Sequence, residues 1–417
     1  MKNKKLIIII LSSLALTACS GDKKKPNKNE DVESIHQQLL TIDTHVDISP
    51  DYTFKEMFDP GQKTLMQVDL DKMDQGGLDA AFFIVYVAQT QRTTENYAIA
   101  KAQAQRKFDS IHRMTDSLYH EKIRLAEHPE DVIKLNKAGY KVAIIGIENG
   151  YVIGKDLTLV ENYYNQGARY MTLAHNGHND ICDSAQPNEK LGDVTIEHHG
   201  VSEFGKQVIS EMNRVGMMVD VSHVSDECMM QSLTLSKAPV IASHSSVRAL
   251  TDSPRNMTDE MMKALADANG VMQLVALSAY LKIDPERSVA IKSLRKSVAE
   301  KYQAIKYNYE LHSHKPEYIA GMKIIDKKYP LATVQDYVDH IDYAVKIMGV
   351  NHVGIASDFD GGGGIMGWKD ASETMNITKE LLRRGYSVQD IEKIWGANLL
   401  RVWEDVDNVA KSLKNAM

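Results

Sequence analysis

The sequence is poor in cysteine and contains no long apolar run. Three cysteines in 417 residues exclude a disulfide framework, so stability must come from a hydrophobic core, and Cys182 and Cys228 are expected to stay free. A content of 43% hydrophobic and 25% charged residues is ordinary for a globular chain and argues against disorder. The length allows one large domain or two ordinary ones.

Positive charge is also in short supply. Forty-nine Lys and Arg stand against 56 Asp and Glu, which gives a net charge of −7. An acidic chain is a poor ligand for phosphate backbones, so nucleic acid is not expected as a partner.

The N-terminus has the layout of an export signal. In "MKNKKLIIIILSSLALTAC" a basic start precedes an apolar run of about eleven residues, too short to span a bilayer comfortably. "LTAC" resembles the bacterial lipobox, which predicts lipidation of Cys19; an ordinary signal with a chance cysteine is the alternative. We expect a signal peptide at 1–18, a flexible tether at 19–32 and a folded body at 33–417. The protein would then be exported and lipid-anchored in a bacterial cell envelope, on the periplasmic face or the cell surface.

Eight strand-like apolar segments alternate with helical patterns. They lie at residues 39–48, 78–88, 141–149, 168–176, 216–223, 238–245, 270–278 and 352–360. This alternation is typical of parallel strands covered by helices and predicts an α/β fold, a (β/α)₈ TIM-like barrel. An open doubly wound sheet is the alternative, although no G-x-G-x-x-G follows the first strand.

Two connections are long enough to be insertions. The segment between the second and third strands reads as two helices, and residues 281–330, between the seventh and eighth strands, read as a charged, helix-rich insertion. Insertions on this side of a barrel shape the mouth of the active site or simply elaborate the surface. The run "DGGGG" at 360–364 reads as a flexible turn under the rim.

Metal-binding side chains recur where the predicted strands end. His45 and Asp47 flank one valine on the first strand and so share a face. The ends of five further strands carry Glu148, His175, His223, His244 and Asp358. Closing the barrel would bring these ends onto one rim.

This set of side chains suits two cations. Imidazoles and carboxylates together favour zinc, with manganese or cobalt as alternatives, and Glu148 is the natural bridging candidate. Two adjacent metals can hold a hydroxide and polarise a carbonyl, as in two-metal hydrolases.

Several stretches resemble the renal (membrane) dipeptidase family, binuclear zinc enzymes of the amidohydrolase barrel group. They are "DTHVD", "RYMTLAHN", "GMMVDVSHVSDE", "SKAPVIASHSSVRAL", "PRNMTDE", "HVGIASDFDG" and "WGANLLRVWEDV", and the resemblance spans roughly residues 35 to 405. The last of these reads as a closing helix.

The resemblance assigns a role to each residue of the set. It implies that His45 and Asp47 bind one zinc, that His223 and His244 bind the other, and that Glu148 bridges them. By the same resemblance His175 steadies the oxyanion and binds substrate, Arg255 receives the substrate carboxylate, and Asp358 contacts substrate and moves a proton. Three departures touch the substrate pocket or the first motif: "HVD" for H-N-D, "NGHNDICDS" after His175 in place of a Pro-Trp pair, and "VALSAY" without the family's usual tyrosine a few positions earlier.

These observations predict an enzyme that hydrolyses free dipeptides through a metal-bridging hydroxide, including dipeptides with a D-residue on the C-terminal side. The alternatives are another binuclear amidohydrolase, such as a deacylase or lactonase, and an inactive surface-binding lipoprotein. The expected partners are dipeptides and, through Cys19, a lipid membrane; a homodimer is left open.

Overall fold

A barrel of parallel strands forms the centre of the computed structural model, which describes residues 31–416. The predicted signal peptide, Cys19 and nearly all of the 19–32 tether lie outside these residues. The strands are β1 Ile42–Asp47, β2 Ala80–Tyr86, β3 Ile123–Leu125, β4 Lys141–Glu148, β5 Ala168–Thr172, β6 Met218–Asp220, β7 Ile241–Ser245, β8 Val271–Val275 and β9 Val353–Ala356. Eight of them pair in parallel in the order β1-β2-β4-β5-β6-β7-β8-β9. A parallel bridge between Val46 and Phe359 brings β1 to the end of β9, so the barrel is nearly closed and the predicted fold is confirmed.

Helices connect the strands and cover the outside of the barrel. They are α1 Val32–Gln38, α2 Leu70–Gly76, α3 Thr94–His112, α4 Pro129–Lys137, α5 Thr158–Asn165, α6 Glu203–Val215, α7 Asp226–Leu235, α8 Asp259–Asp267, α9 Ser278–Leu281, α10 Pro285–Lys301, α11 Tyr309–His312, α12 Pro316–Lys328, α13 Val334–Met348, α14 Met375–Arg384, α15 Val388–Glu392 and α16 Asn398–Asn415. Between residues 31 and 416, none of these helices is both long and apolar enough to cross a bilayer.

Helix α6 shows how local sequence sets these boundaries. The Ser202 side chain accepts a hydrogen bond from the Gly205 N–H and caps the start, and Gly216 ends the helix at φ 100°, a conformation that favours glycine. Between the two caps, apolar residues at helical spacing face the barrel and are buried: Val208, Ile209, Met212 and Val215.

The hydrophobic core has two parts. One part joins the first residues of several strands to α16, so this helix closes the N-terminal end of the barrel, as predicted; Trp403 of α16 lies 6.3 Å from the Phe82 ring. The other part fills the space between the strands and the surrounding helices. The apolar end is sealed, which leaves the C-terminal rim for polar side chains.

Strand β1 contains a bulge that the sequence did not reveal. Its pairing register with β2 shifts between Asp43 and Val46. Ile42, before the bulge, belongs to the part of the core that contacts α16. Val46, after the bulge, belongs to the part between the strands and the surrounding helices. Bulges next to active sites commonly re-aim side chains. Here His45 and Asp47 both face the inside of the rim, so their predicted common orientation is correct.

Both insertions are present. The first contains α3, followed by a π-helical turn, and α4, which confirms the predicted pair of helices. It also contains β3, which pairs with the start of β4 and which the sequence did not predict. The second contains α10, α11 and α12, in agreement with the prediction of a helix-rich segment.

Candidate functional site

Seven of the predicted site residues converge on the C-terminal rim of the barrel. Four of them lie in strands: His45 and Asp47 in β1, Glu148 in β4 and His244 in β7. The other three lie in loops, two or three residues beyond a strand end, and not on the strands where the sequence placed them: His175, His223 and Asp358. The predicted segments were longer than the strands because the apolar character continues past the last ladder hydrogen bond.

Backbone strain is concentrated at the same rim. His223 has φ 68° and Asp358 has φ 58°, and Asn149, directly after Glu148, has φ 78°. Non-glycine residues adopt such values at a cost of about 1–3 kcal/mol each, and they do so chiefly at functional sites. Of these three residues, His223 and Asp358 line the cleft.

Glu148 lies at the centre of the cluster and is buried. Its Oε1 atom is 3.0 Å from His223 Nε2, 3.3 Å from His244 Nε2 and 3.7 Å from His175 Nε2. Its Oε2 atom is 3.7 Å from His45 Nε2. The two carboxylate oxygens therefore face different histidines, as a bridging carboxylate requires.

The cluster divides into two halves around Glu148. In the first, which we call the His45 half, His45 Nε2 lies 3.6 Å from Asp47 Oδ2 and 4.0 Å from Asp358 Oδ1. The second, the His223 half, consists of His223 and His244, whose Nε2 atoms are 2.8 Å apart. Three groups of ligand atoms are close enough to hold an ion: His45, Asp47 and Asp358; His45, Glu148 and His244; and Glu148, His175 and His223.

Hydrogen bonds fix the tautomer of His45. Its Nδ1 atom lies 3.0 Å from the Tyr170 hydroxyl oxygen, and that hydroxyl donates to the Thr44 carbonyl at 3.0 Å. The hydroxyl oxygen must then accept from His45, so Nδ1 carries the hydrogen and Nε2 presents a lone pair to the cluster.

The same logic applies to the His223 half. His244 Nδ1 lies 2.8 Å from Ser243 Oγ, which donates to Asp220 Oδ2 at 2.6 Å. His223 Nδ1 lies 3.3 Å from the Asn176 amide oxygen, which can only accept. Both Nε2 atoms therefore present lone pairs.

This arrangement fits metal ions. Two Nε2 lone pairs facing each other at 2.8 Å repel unless a cation lies between or beside them. His45 Nε2 is buried and has no hydrogen-bond partner in the described residues. Imidazole nitrogen and carboxylate oxygen are ligands that zinc, manganese and cobalt accept, which supports a metal centre here.

The electrostatics of the two halves differ. Burial lowers the pKa of His223 and of His244 well below the usual range, which keeps both imidazoles neutral. Burial also acts to lower the pKa of His45, but the carboxylates of Glu148 and Asp47 outweigh it and raise that pKa well above the usual range. The His45 half thus demands positive charge, which a divalent cation would supply.

The pKa shifts of Asp358 and His175 suit different roles: Asp358 can carry a proton, and His175 can act as a neutral hydrogen-bond donor. Burial raises the pKa of Asp358 well above its usual range, because His45 only partly offsets it and Asp47 adds to it. Burial lowers the pKa of His175, so its imidazole is neutral near pH 7. Its Nδ1 atom lies 3.5 Å from the Tyr86 hydroxyl. The site therefore provides a carboxyl group with a raised pKa, Asp358, and a neutral imidazole, His175.

Arg255 is a buried cation beside the His223 half. One guanidinium Nη2–H donates to the His244 carbonyl at 3.1 Å, and the side chain is only 3% exposed. Its Nε atom is buried without a hydrogen-bond partner, and within residues 31–416 no carboxylate lies within 4.0 Å of it. The guanidinium carbon is 5.2 Å from the ring centre of Tyr280, which lines the cleft. A desolvated guanidinium without a counter-ion is suited to receive an anion.

The glycine run after β9 begins with a turn, as predicted, and packs closely against the carboxylates of Asp47 and Asp358. A Cβ atom on Gly361 would lie 2.1 Å from Asp47 Oδ2 and 2.6 Å from Asp358 Oδ1. Asp360 holds this turn by accepting from the Gln67 N–H at 2.9 Å, and the Gln67 side-chain amide donates to the Gly363 carbonyl at 3.0 Å. Only glycine allows the backbone to approach these carboxylates so closely.

The cluster lies at the inner end of a cleft of about 1550 Å³. Its outer walls come from α10 and α12 of the second insertion and from the loop between β1 and α2. Of the two roles that the sequence left open for the 281–330 insertion, this lining favours shaping the mouth over simple surface elaboration.

Sequence reasoning missed the residues that orient the histidines and flank Arg255. They are Asn176, Tyr170, Asp220, Ser243 and Tyr280. Three had a signal in the sequence, because Asn176 directly follows His175, and Asp220 and Ser243 lie inside "VDVSH" and "IASHS". Tyr170 and Tyr280 lie inside "RYMTLAHN" and "VALSAY", but their contacts at the site are made with distant segments, so their roles could not be predicted.

Comparisons with known proteins agree on one family. A family model described as membrane dipeptidase (peptidase family M19) matches residues 29–417. Dipeptidase aclJ of Aspergillus oryzae is 32% identical over 357 residues, which cover 84% of this chain and 72% of that protein. Dipeptidase tcpJ of Claviceps purpurea is 29% identical over 373 residues, which cover 88% and 76%. The crystal structure of the probable dipeptidase PvdM from Pseudomonas aeruginosa matches with a TM-score of 0.79 and 31% identity, covering 91% of this chain and 98% of that one.

Proposed function

The chain belongs to the membrane dipeptidase family, peptidase family M19, and we propose that it hydrolyses the peptide bond of free dipeptides with two zinc ions. The observation that carries the proposal is the geometry of Glu148, whose two oxygens face histidines of different halves. Family membership makes the chain a dipeptidase-type metallopeptidase. The identity of the metal, the number of ions and the roles of the residues are the proposed part.

His45 and Asp47 would hold one ion, His223 and His244 the other, with Glu148 shared between them. When bound, two such cations supply a hydroxide at neutral pH and polarise the scissile carbonyl. The orphaned Nε2 atom of His45 and the close Nε2 pair of the His223 half support this assignment. Manganese or cobalt would fit the same ligands.

Asp358 would move the proton. Its raised pKa and its position near Asp47 suit a carboxylate that accepts a proton from the attacking water and returns it to the leaving amine. The positive φ at Asp358 fixes the direction of that side chain.

His175 and Arg255 would bind the substrate at two places that carry negative charge during the reaction, the oxyanion and the terminal carboxylate. His175, neutral and 3.7 Å from Glu148, would donate a hydrogen bond to the oxyanion that forms at the scissile carbonyl. Arg255 would bind the terminal carboxylate through its guanidinium, with a small side-chain movement of Tyr280 or Arg255 opening the contact. A buried cation without a carboxylate partner supports this role.

Two further properties follow from the family resemblance and the N-terminal sequence. Members of the family accept a D-residue on the C-terminal side, and we propose the same here. We also propose export and attachment to the bacterial envelope through a lipidated Cys19, with residues 19–32 as the tether.

One experiment addresses the core of the proposal. A chain beginning at Asp31 is purified, its metal content is measured, and hydrolysis of L,L and L,D dipeptides is assayed. We expect about two metal equivalents and turnover of both series. A well-folded protein that holds two metals but hydrolyses no dipeptide would overturn the proposed function. Loss of folding on removing residues 1–30 would refute the proposal that residues 19–32 are only a tether.

A further inference from the structure

The outer wall of the cleft differs in charge from the rest of the chain. Residues 281–330 contain eleven Lys and Arg against six Asp and Glu, a net charge of +5. The whole chain carries −7, so the remaining residues carry −12. A basic segment on an acidic protein raises the local concentration of anions beside it. This segment forms the mouth of the candidate active site.

One face of α10 points into the cleft. Ser288, Ile291, Lys292 and Arg295 all line it, at the i, i+3, i+4, i+7 spacing of a single helical face. Lys63 lines the cleft from the loop between β1 and α2. Cations from two separate segments therefore face the same space.

These cations differ from a neighbouring arginine in their pairing. Arg287, also on the wall, forms an ion pair with Asp326 at 2.7 Å. In the part of the chain that the structure describes, no carboxylate lies within 4.0 Å of the charged nitrogens of Lys63, Lys292 or Arg295. The guanidinium carbon of Arg295 lies 5.3 Å from the ring centre of Tyr307, a contact that does not neutralise its charge. The three charges are thus available to an anion in the cleft.

The cleft is also larger than a dipeptide needs. Its volume of about 1550 Å³ exceeds the roughly 300–1,000 Å³ of pockets that enclose drug-sized ligands. A small dipeptide bound at the metal centre would leave the outer part of the cleft to water. A long side chain or substituent would occupy that part and reach α10.

We propose that the preferred substrates carry a second anionic group on a long side chain or substituent, which Lys292 and Arg295 bind at the mouth of the cleft. This inference rests on the proposed dipeptidase function and adds the class of substrate. The terminal carboxylate and the second anion are recognised at separate places, by Arg255 and by the face of α10.

Matched substrates test the proposal. A dipeptide of alanine and lysine is prepared with the lysine amine either succinylated, which adds a carboxylate on a long arm, or acetylated, which adds a neutral group. The modified lysine is placed on either side of the scissile bond, and kcat/KM is measured for each substrate.

We expect the parent enzyme to prefer the succinylated substrate by about tenfold in one of the two positions, through KM, as contacts to two partly exposed cations allow. The preference should shrink as salt rises from about 20 mM to about 500 mM. The double variant Lys292→Gln/Arg295→Gln should lose the preference. Because each ratio compares two substrates in one protein, metal content and folding cancel.

Lys296→Gln provides the control, since Lys296 lies on the same helix but does not line the cleft. It should keep the parent's ratio. Equal rates for the two substrates in the parent, or an unchanged ratio in the double variant, would overturn the inference. Failure to hydrolyse unmodified alanyl-alanine would instead count against the proposed function, so the two failures are distinguishable.

Discussion

The two halves of the metal site share Glu148 but differ in nearly every other respect. The His45 half has one histidine beside two carboxylates of its own, Asp47 and Asp358, whereas the His223 half has two imidazoles and no carboxylate of its own. The His223 half also lies beside Arg255, whose positive charge lowers the pKa of both its histidines further.

This difference in charge suits the two halves to different tasks, retention of a cation and binding of the substrate carboxylate. Three carboxylates around the His45 half favour tight retention of a cation. The His223 half, with fewer anions and a guanidinium nearby, is the weaker cation site and the side on which the substrate carboxylate would enter. The variants below test this division, beginning with the residue that both halves share.

Glu148→Gln should have the largest effect, because an amide cannot give anionic oxygens to two cations. We expect a loss of about 10⁴-fold or more in kcat, well beyond that of any single terminal ligand, with reduced metal content in both halves. Activity and metal equivalents are measured on the same preparation. Near-normal turnover with both metals retained would show that Glu148 is not the bridge.

Arg255→Met tests the substrate side of the His223 half. Removing a charged partner from a desolvated pocket costs roughly 2–5 kcal/mol, so kcat/KM for a free dipeptide should fall by about 10²–10³ or more. Metal content should not change.

A dipeptide amide is the control, since it has no carboxylate. It should be a poor substrate for the parent and be little affected by the substitution. If the parent cleaves the amide as well as the acid, Arg255 does not bind a carboxylate, and a general amidohydrolase, such as a deacylase, becomes the better assignment.

His175→Ala asks whether His175 belongs to the His223 half as a ligand. The structure places His175 Nε2 within reach of Glu148, in a group with His223 that could hold an ion. As an oxyanion donor it should lower kcat by about 10²–10³ when removed and leave the metals in place. Loss of one metal equivalent would make it a ligand instead.

The sequence predicted what depends on pattern and missed what depends on local backbone geometry. The barrel, the closing helix and the set of rim residues could be predicted, because alternating apolar segments place strand ends on one rim whatever the details. The bulge in β1, the positive φ of His223 and the packing of Gly361 could not, because each arises from contacts between segments far apart in the chain.

Asp47→Asn should weaken the His45 half alone. The substitution keeps the side-chain volume but removes one of its anionic ligands, so we expect a loss of about 10- to 100-fold in the affinity of that ion. In the parent, a chelator should first remove the metal of the His223 half, and in the variant this order should reverse. Anomalous scattering from crystals soaked in chelator identifies which half is emptied. The same order in both proteins would refute the division.

Gly361→Ala should produce the smallest effect and the most local one. The backbone at Gly361 suits alanine, but the added methyl would lie within 2.6 Å of the carboxylates of Asp47 and Asp358 and push both aside. The His45 half should lose about tenfold in metal affinity, and kcat should fall because the proton carrier moves with its neighbour. Gly321→Ala is the control, since the atoms nearest to its methyl all belong to the Leu294 side chain, away from the carboxylates. The order in which a chelator removes the two metals is measured for Gly361→Ala as for Asp47→Asn. If the metal of the His223 half still left first, as in the parent, the glycine run would not support the His45 half. The close approach of Gly361 to the two carboxylates would then be a matter of packing alone.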